Sequence, residues 1–281
     1  MKILCYINHF FGQHKTFIGK SSLPDGMDSR EVQERKKIRK EIVEKVISQI
    51  KSLGDDVTVK VCGIDGFTLV PIDIDFSHIK NAPLLLIYES INRMVNYLEE
   101  YDYFINLEDD TFIPKETFEN IIHFDKSSFL NEILLPNRLE HTKKGEVYCP
   151  DLRAIPGWTC QFKNFEGKSI RVAYNPHSAL MIISKAKFKY ALTQLDLSFR
   201  KNILFNELDS AFAYFHSVFS LYRSEDLRFH YVYHLDRWLN SPGEKQFKIQ
   251  TSKQIFLYVR ELFPPILFRI YRYLKRKIND K

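Results

Sequence analysis

Long apolar runs and paired cysteine motifs are both missing from this 281-residue chain. Without a long apolar run, no segment is expected to cross a bilayer as a helix. Cys5, Cys62, Cys149 and Cys160 show no CxxC spacing, and the first two lie in apolar, strand-like runs. A disulfide framework and a zinc site are therefore not expected, and a reducing cytoplasm is favoured. The opening MKILCYINHF has only a short apolar run, which is typical of a first strand rather than a signal peptide.

Excess positive charge is also missing from most of the chain, although the net charge is +6. Residues 251–281 hold eight basic and two acidic side chains, and 8 − 2 = +6, so the first 250 residues are neutral. A basic groove spread over the fold is not expected, which argues against a nucleic-acid partner.

Hydrophobic side chains, at 44% of the sequence, are sufficient for a full core. Strand-like and helix-like segments alternate over residues 3–7, 29–53, 56–66, 83–100 and 101–110. This order predicts an α/β fold with a mostly parallel sheet between two layers of helices. The second half is less regular, with one strand predicted over residues 132–140 and a loop region over residues 145–162. We expect one catalytic unit over residues 1–240 and a separate tail over residues 241–281.

The first predicted helix has Ile38, Ile42, Val46 and Ile50 at helical spacing. Its basic residues, Arg35 among them, are expected to form a solvated face.

Three consecutive carboxylates end the third predicted strand, in the stretch YDYFINLEDDTFIP. Glu108, Asp109 and Asp110 would repel one another unless they are solvated in a turn or bind a cation. Two carboxylates spaced by one residue offer the oxygen ligands that Mg²⁺ and Mn²⁺ prefer. The carboxyl ends of parallel strands meet at one edge of a sheet, so we expect other polar residues that follow strands to lie nearby. These are Asn8, His9 and Asp65.

The stretch INLEDDTFIP resembles the acidic D-x-D motif of GT-A-fold nucleotide-sugar glycosyltransferases, with Glu108 in the first acidic position and Asp110 in the second. The resemblance implies a Rossmann-like α/β/α fold and a Mn²⁺ or Mg²⁺ ion bound by these two residues. It also implies a nucleoside diphosphate sugar as donor, with a UDP-sugar favoured. Because Glu replaces Asp at position 108, the resemblance leaves open whether Glu108 or Asp109 is the partner of Asp110.

The same resemblance implies further residues on the donor side, within residues 1–115. Asn8 and His9 would line the nucleotide pocket, and Asp65 would contact the base or the ribose. Asp109 would orient the ribose if it does not bind the metal.

On the acceptor side, residues 116–240, the resemblance implies a base that deprotonates the acceptor hydroxyl. Glu207 and Asp209 in NELDSAF are the candidates, and helix capping is the alternative explanation for both. His234, preferred to His230, would complete the metal ligands unless it is a packed core histidine. Trp158 and His177 are candidates for sugar contacts or for core packing.

The tail carries a second, independent pattern. If residues 266–278 are helical, one side is apolar and the other is basic, through Arg269, Arg272, Lys275 and Arg276. Such a helix is typical of a segment lying on an anionic membrane surface, and the alternative is docking on the protein's own core. In a glycosyltransferase this would place a cytoplasmic enzyme peripherally on the inner face of the cell membrane.

The sequence therefore predicts a metal-dependent glycosyltransferase acting on a hydroxyl of a surface polysaccharide or a lipid-linked glycan. Inversion and retention both stay open. One alternative is a nucleotidyltransferase, although NHFFGQHKTFIGKSS only partly matches the Gly-rich phosphate loop that it needs. The other is a non-catalytic, membrane-associated carbohydrate-binding protein.

Overall fold

The computed structural model describes residues 1–12, 28–141, 147–152, 157–200, 203–204 and 206–236. The strands within these ranges are β1 (Ile3–Asn8), β2 (Val57–Gly63), β3 (Ile74–Asp75), β4 (Tyr103–Glu108), β5 (Thr111–Phe112), β6 (Glu132–Leu134), β7 (Asn137–His141), β8 (Val147–Tyr148), β9 (Trp158–Phe165), β10 (Lys168–Ala173), β11 (Leu180–Ser184), β12 (Ser220–Ser224) and β13 (Tyr231–His234). The α-helices are α1 (Ser29–Lys51), α2 (Leu86–Met94), α3 (Lys115–Ser127), α4 (Lys185–Gln194) and α5 (Glu207–His216).

The main sheet has five strands in the order β11-β4-β1-β2-β3. The last four are parallel, and β11 runs antiparallel to β4. The central strands end together, because Asn8 lies opposite both Cys62 of β2 and Glu108 of β4. The predicted α/β class and the parallel order of the first half are confirmed, and the strands bring their carboxyl ends to one edge.

Helices cover both faces of this sheet. All six residues of β1 are buried, so its alternating side chains supply two separate cores. Leu4 and Tyr6 belong to the core beneath α2, whereas Ile3, Cys5 and Ile7 belong to the core beneath α1 and α3. The arrangement gives three layers, as predicted.

Helix α1 begins at a capping box. Asp28 Oδ1 accepts the N–H groups of Arg30 and Glu31, each at 2.8 Å, and Glu31 Oε2 accepts the N–H of Asp28 at 2.9 Å.

The buried face of α1 differs from the predicted one by a small rotation. Ile38 is 45% exposed, and Arg39 is buried in line with Val43, Val46 and Ile50. The expectation that Arg35 faces solvent is also wrong, because its guanidinium is nearly buried and contacts Asp236.

Two smaller mixed sheets build the second half, in the orders β6-β12-β10-β9 and β5-β13-β7-β8. The single strand predicted over residues 132–140 is two strands in different sheets, since Pro136 has no N–H for a ladder. The predicted loop region over residues 145–162 contains β8 and the start of β9. The interruption at Pro136 sends β7 toward the carboxyl edge of the main sheet.

Residues 241–281 lie outside the described residues, so the amphipathic tail, its membrane contact and the division at residue 240 stay predictions. Among the described helices, none has the length and apolar character needed to cross a membrane.

Candidate active site

The acidic end of β4 meets the end of β13. After Glu108 the chain turns through Asp109 and Asp110 into β5, which pairs antiparallel with β13 so that Thr111 lies opposite His234. The N–H of Leu235 donates to the carbonyl oxygen of Asp110 at 2.8 Å. Backbone pairing thus brings His234 beside residues that precede it by more than a hundred positions.

Glu108, Asp110 and His234 form a cluster of potential metal ligands. One ligand atom from each lies within 4.8 Å of the other two. Nε2 of His234 is 3.1 Å from Oδ2 of Asp110. Oδ1 of Asp110 is buried and has no hydrogen-bond partner within the part of the chain that the structure describes. The structure therefore brings the three predicted metal ligands together and leaves one carboxylate oxygen available to a cation, while ion binding itself stays a prediction.

The pKa values of these groups reflect burial and mutual charge. Burial, followed by repulsion from Asp110, raises the pKa of Glu108 to about 7. Burial opposes the ionisation of Asp110, yet His234 and Arg39 hold its pKa well below the usual range. Burial likewise opposes the charging of His234, but Asp110 raises its pKa above the ordinary value. The two acids thus differ in pKa, because nearby positive charges offset the effect of burial for Asp110 but not for Glu108.

Negative charge exceeds positive charge around this edge. Seven carboxylates lie there. One is Glu108, and the six that take part in ion pairs are Asp109, Asp110, Glu140, Asp151, Asp209 and Asp236. The guanidinium groups among them are those of Arg35, Arg39 and Arg138. With all seven carboxylates ionised and the histidines neutral, the difference among these ion-paired groups and Glu108 is 7 − 3 = 4 negative charges. A divalent cation fits such a site.

A second polar group adjoins the metal-ligand cluster through the segment that precedes β11. The N–H of Glu108 donates to the carbonyl of Ala179 at 3.0 Å, which places the neighbouring His177 at the same edge. Nδ1 of His177 is 2.9 Å from Asp151 Oδ1, and its Nε2 is 3.3 Å from Asp209 Oδ1. Burial and Arg138 disfavour the imidazolium, but Asp151 and Asp209 raise the pKa of His177 to about 9. At neutral pH a charged His177 therefore joins the two carboxylates.

The two predicted bases, Glu207 and Asp209, lie in the first turn of α5 as expected. Asn206 caps this helix by accepting the N–H of Asp209 at 2.9 Å. Asp209 turns toward His177, whereas Glu207 is close enough to Tyr88 of α2 to influence that tyrosine's pKa. Of the two candidates, the structure connects Asp209 to the acidic edge.

His9 and Asp109 contact each other beneath the edge. His9 Nε2 accepts the N–H of Leu69 at 2.8 Å, so Nδ1 carries the proton and donates to Asp109. The other oxygen of Asp109 accepts from Arg39, and both side chains are buried. Their predicted contact with a nucleotide stays a prediction. In the structure, His9 and Arg39 hold Asp109 in the acidic turn that follows β4.

Asn8 and Asp65 follow β1 and β2 at the same edge. The amide nitrogen of Asn8 donates to Asn106 Oδ1 at 2.6 Å and to the Leu107 carbonyl at 3.0 Å. Asp65 is exposed, and its backbone N–H donates to Asp75 Oδ1 at 3.2 Å. Asp65 is thus accessible at the rim, while Asn8 is buried below it.

Several residues of this site were not singled out from the sequence, namely Arg39, Arg138, Glu140 and Asp151. Arg138 and Glu140 lie in a predicted strand, and charged residues within such a strand could have indicated a functional site. Arg39 is one basic residue among several in RKKIRK, and nothing local distinguishes it. Trp158, a predicted sugar contact, begins β9 opposite Ala173.

No protein-family model matches this chain, and no curated protein matches it. Among solved structures, the chain is similar to the crystal structure of a glycosyltransferase involved in the glycosylation of the major capsid of PBCV-1. The identity is 12% and the TM-score 0.33, over 83% of this chain and 82% of that chain. A likeness at this level does not indicate what this chain does.

Proposed function

We propose that this chain is a metal-dependent glycosyltransferase of the GT-A class. It would transfer a sugar from a nucleoside diphosphate sugar, with a UDP-sugar favoured, to a hydroxyl of a surface polysaccharide or lipid-linked glycan. The observation that carries the proposal is the convergence of Glu108, Asp110 and His234 at the carboxyl edge of a parallel sheet. Ligand sites of open α/β sheets lie at such edges.

In this proposal Glu108, Asp110 and His234 hold Mn²⁺ or Mg²⁺. The bound ion supplies positive charge for the diphosphate leaving group. The excess of carboxylates favours a cation over an anion at the unliganded edge, so a diphosphate is expected to bind only together with the metal. Arg138, which faces Glu108 closely enough to affect its pKa, adds a fixed positive charge beside the site.

Asp209 is the proposed base of an inverting reaction. Its carboxylate takes the proton of the acceptor hydroxyl while that oxygen bonds to the anomeric carbon of the donor sugar. The bond between that carbon and the diphosphate breaks, and the electron pair leaves with the nucleoside diphosphate. His177, held by Asp151, orients Asp209 toward the edge. A retaining reaction would use the same metal ligands without this role for Asp209.

The proposal is tested by nucleotide titration of the full chain. UDP and GDP are titrated with Mn²⁺ or with EDTA, and binding is followed by calorimetry and thermal shift. We expect at least one nucleotide to bind only with Mn²⁺, and Asp110→Asn to abolish that binding. Glu119→Gln, which alters an exposed acid on α3, is the matched control. Binding that ignores Mn²⁺ or survives Asp110→Asn would refute the proposal.

The peripheral membrane location is part of the same proposal and has its own test. Residues 251–281 carry the whole net charge of +6, which favours a surface of anionic lipid. The full chain should sediment with vesicles containing anionic lipid, and a chain lacking residues 251–281 should not. Equal sedimentation of the two chains would remove the membrane from the proposal.

A further inference from the structure

A buried arginine reaches the metal-ligand cluster from the helix that covers one face of the sheet. Arg39 of α1 is 7% exposed, and its guanidinium contacts three carboxylates. Nη1 donates to Asp110 Oδ2 at 2.8 Å and also to Asp236, while Nη2 donates to Asp109. A planar guanidinium offers donors in several fixed directions, which the single ammonium of lysine does not.

Arg39 makes the two oxygens of Asp110 different from each other. Oδ2 accepts from Arg39 and faces Nε2 of His234 at 3.1 Å. Oδ1 is buried and lacks a hydrogen-bond partner among the residues that the structure describes. A cation that reaches Asp110 therefore meets Oδ1, and the bond from Arg39 fixes the rotation of the carboxylate that presents it.

Arg39 also ties the strand that carries His234 to the acidic turn. Asp236, two residues after His234, contacts both Arg39 and Arg35. Between them, the N–H of Leu235 donates to the Asp110 carbonyl at 2.8 Å. Beside the backbone pairing of β5 with β13, Arg39 thus adds a side-chain connection between two of the three predicted ligands.

We infer that Arg39 is a positioning residue that sets the geometry of Asp110 and His234 for a divalent cation. The inference rests on the proposed function, because it concerns the same cation site, and it adds to that site a residue of α1 that supports a metal ligand without being one. Charge alone predicts the opposite effect of a substitution. Removing a positive charge beside carboxylates should tighten cation binding, whereas losing the support of a ligand should weaken it.

The test measures Mn²⁺ alone, without nucleotide, by electron paramagnetic resonance of the free ion titrated into the full chain. The variants are Arg39→Lys, which keeps the positive charge but loses the planar set of donors, and Arg39→Gln, which loses both. We expect the Mn²⁺ dissociation constant to rise about tenfold or more in both, as for other supports of metal ligands. Lys40→Gln is the matched control, because Lys40 is the next residue of the same helix, is exposed, and pairs with Glu44 at the surface. Its dissociation constant should stay within about threefold of the wild-type value.

The outcomes separate this inference from the proposed function. The positioning role would be overturned if Arg39→Lys bound Mn²⁺ as tightly as wild type, or if Arg39→Gln bound it more tightly. Either result would still be consistent with the proposed metal site. A wild-type chain that does not bind Mn²⁺ would overturn both. Should Arg39→Gln fail to fold, Arg39→Lys decides alone, with circular dichroism confirming that it is folded during the titration.

Discussion

Replacing His177 by glutamine should remove a pH-dependent part of the stability of the protein. The imidazolium of His177 lies between Asp151 and Asp209, at 2.9 and 3.3 Å. These carboxylates overcome the effects of burial and Arg138, and they raise the pKa of His177 from 6.5 to about 9 in the folded protein. Glutamine keeps hydrogen-bonding capacity but cannot carry the charge.

The magnitude follows from linkage between protonation and folding. Because the folded-state pKa lies above the unfolded value, the contribution is fully present below pH 6.5 and is lost as the pH rises through 9. The loss is about 1.4 kcal/mol per pH unit within this window, which amounts to about 3 kcal/mol. The difference in unfolding free energy between wild type and His177→Gln should therefore shrink by about that amount from pH 6 to pH 9.5.

Urea unfolding followed by circular dichroism at half-unit pH steps measures this difference. His123→Gln is the control, since His123 is an exposed histidine on α3 that pairs with Glu166 at the surface. Titration of the groups that do not interact with His177 is common to all three proteins and cancels in the comparison. A difference between wild type and His177→Gln that is constant across the pH range would refute the charged bridge.

Four further substitutions test the fold and the acidic pair. Asp28→Ala removes the N-cap of α1 and should lower the free energy of unfolding by about 1 kcal/mol in urea titrations; an unchanged value would contradict the capping box. Phe118→Ala, in the core beneath α3, should cost about 3–5 kcal/mol, whereas Phe129→Ala, at 73% exposure, should cost less than about 0.5 kcal/mol, and equal losses would contradict the assigned burial. Burial and repulsion by Asp110 disfavour the carboxylate of Glu108, so at pH 8 in EDTA Glu108→Gln should raise the free energy of unfolding by about 1–3 kcal/mol. With Mn²⁺ the variant should lose the stabilisation expected of wild type, and a decrease in EDTA would argue against an unfavourable charge at Glu108.

The first half of the fold was predictable because its signals are local. The runs ILCYIN and YFINLE are apolar enough to be buried on both faces, which is typical of central parallel strands. Parallel strands with helical connections end at one edge, and this rule alone predicts that Glu108 and Asp110 lie near Asn8.

The second half was harder to predict because its pairings join distant segments. β12 pairs in parallel with β6, and β13 pairs in parallel with β7, each across more than eighty residues. No local pattern specifies such partners. The break at Pro136 was visible in the sequence, but it does not say that the two resulting strands enter different sheets.

Arg39 shows a different limit of prediction from the sequence. It belongs to the run RKKIRK, where four other basic residues look equivalent to it. Its burial is decided by three carboxylates that are 70, 71 and 197 residues away in the sequence. A buried charge is identified by its partners, and these come together only after the sheets have formed.

The late position of β13 in the chain has a consequence for biosynthesis. A ribosome adds residues in order, and His234 is the last of the three predicted metal ligands to emerge. β13 also inserts between β5 and β7, so a nascent chain without it has made the acidic turn but lacks the strand that lies beside it. The site is thus complete only after β13 has been synthesised. Products of interrupted translation that end before β13 would contain Glu108 and Asp110 but would lack His234.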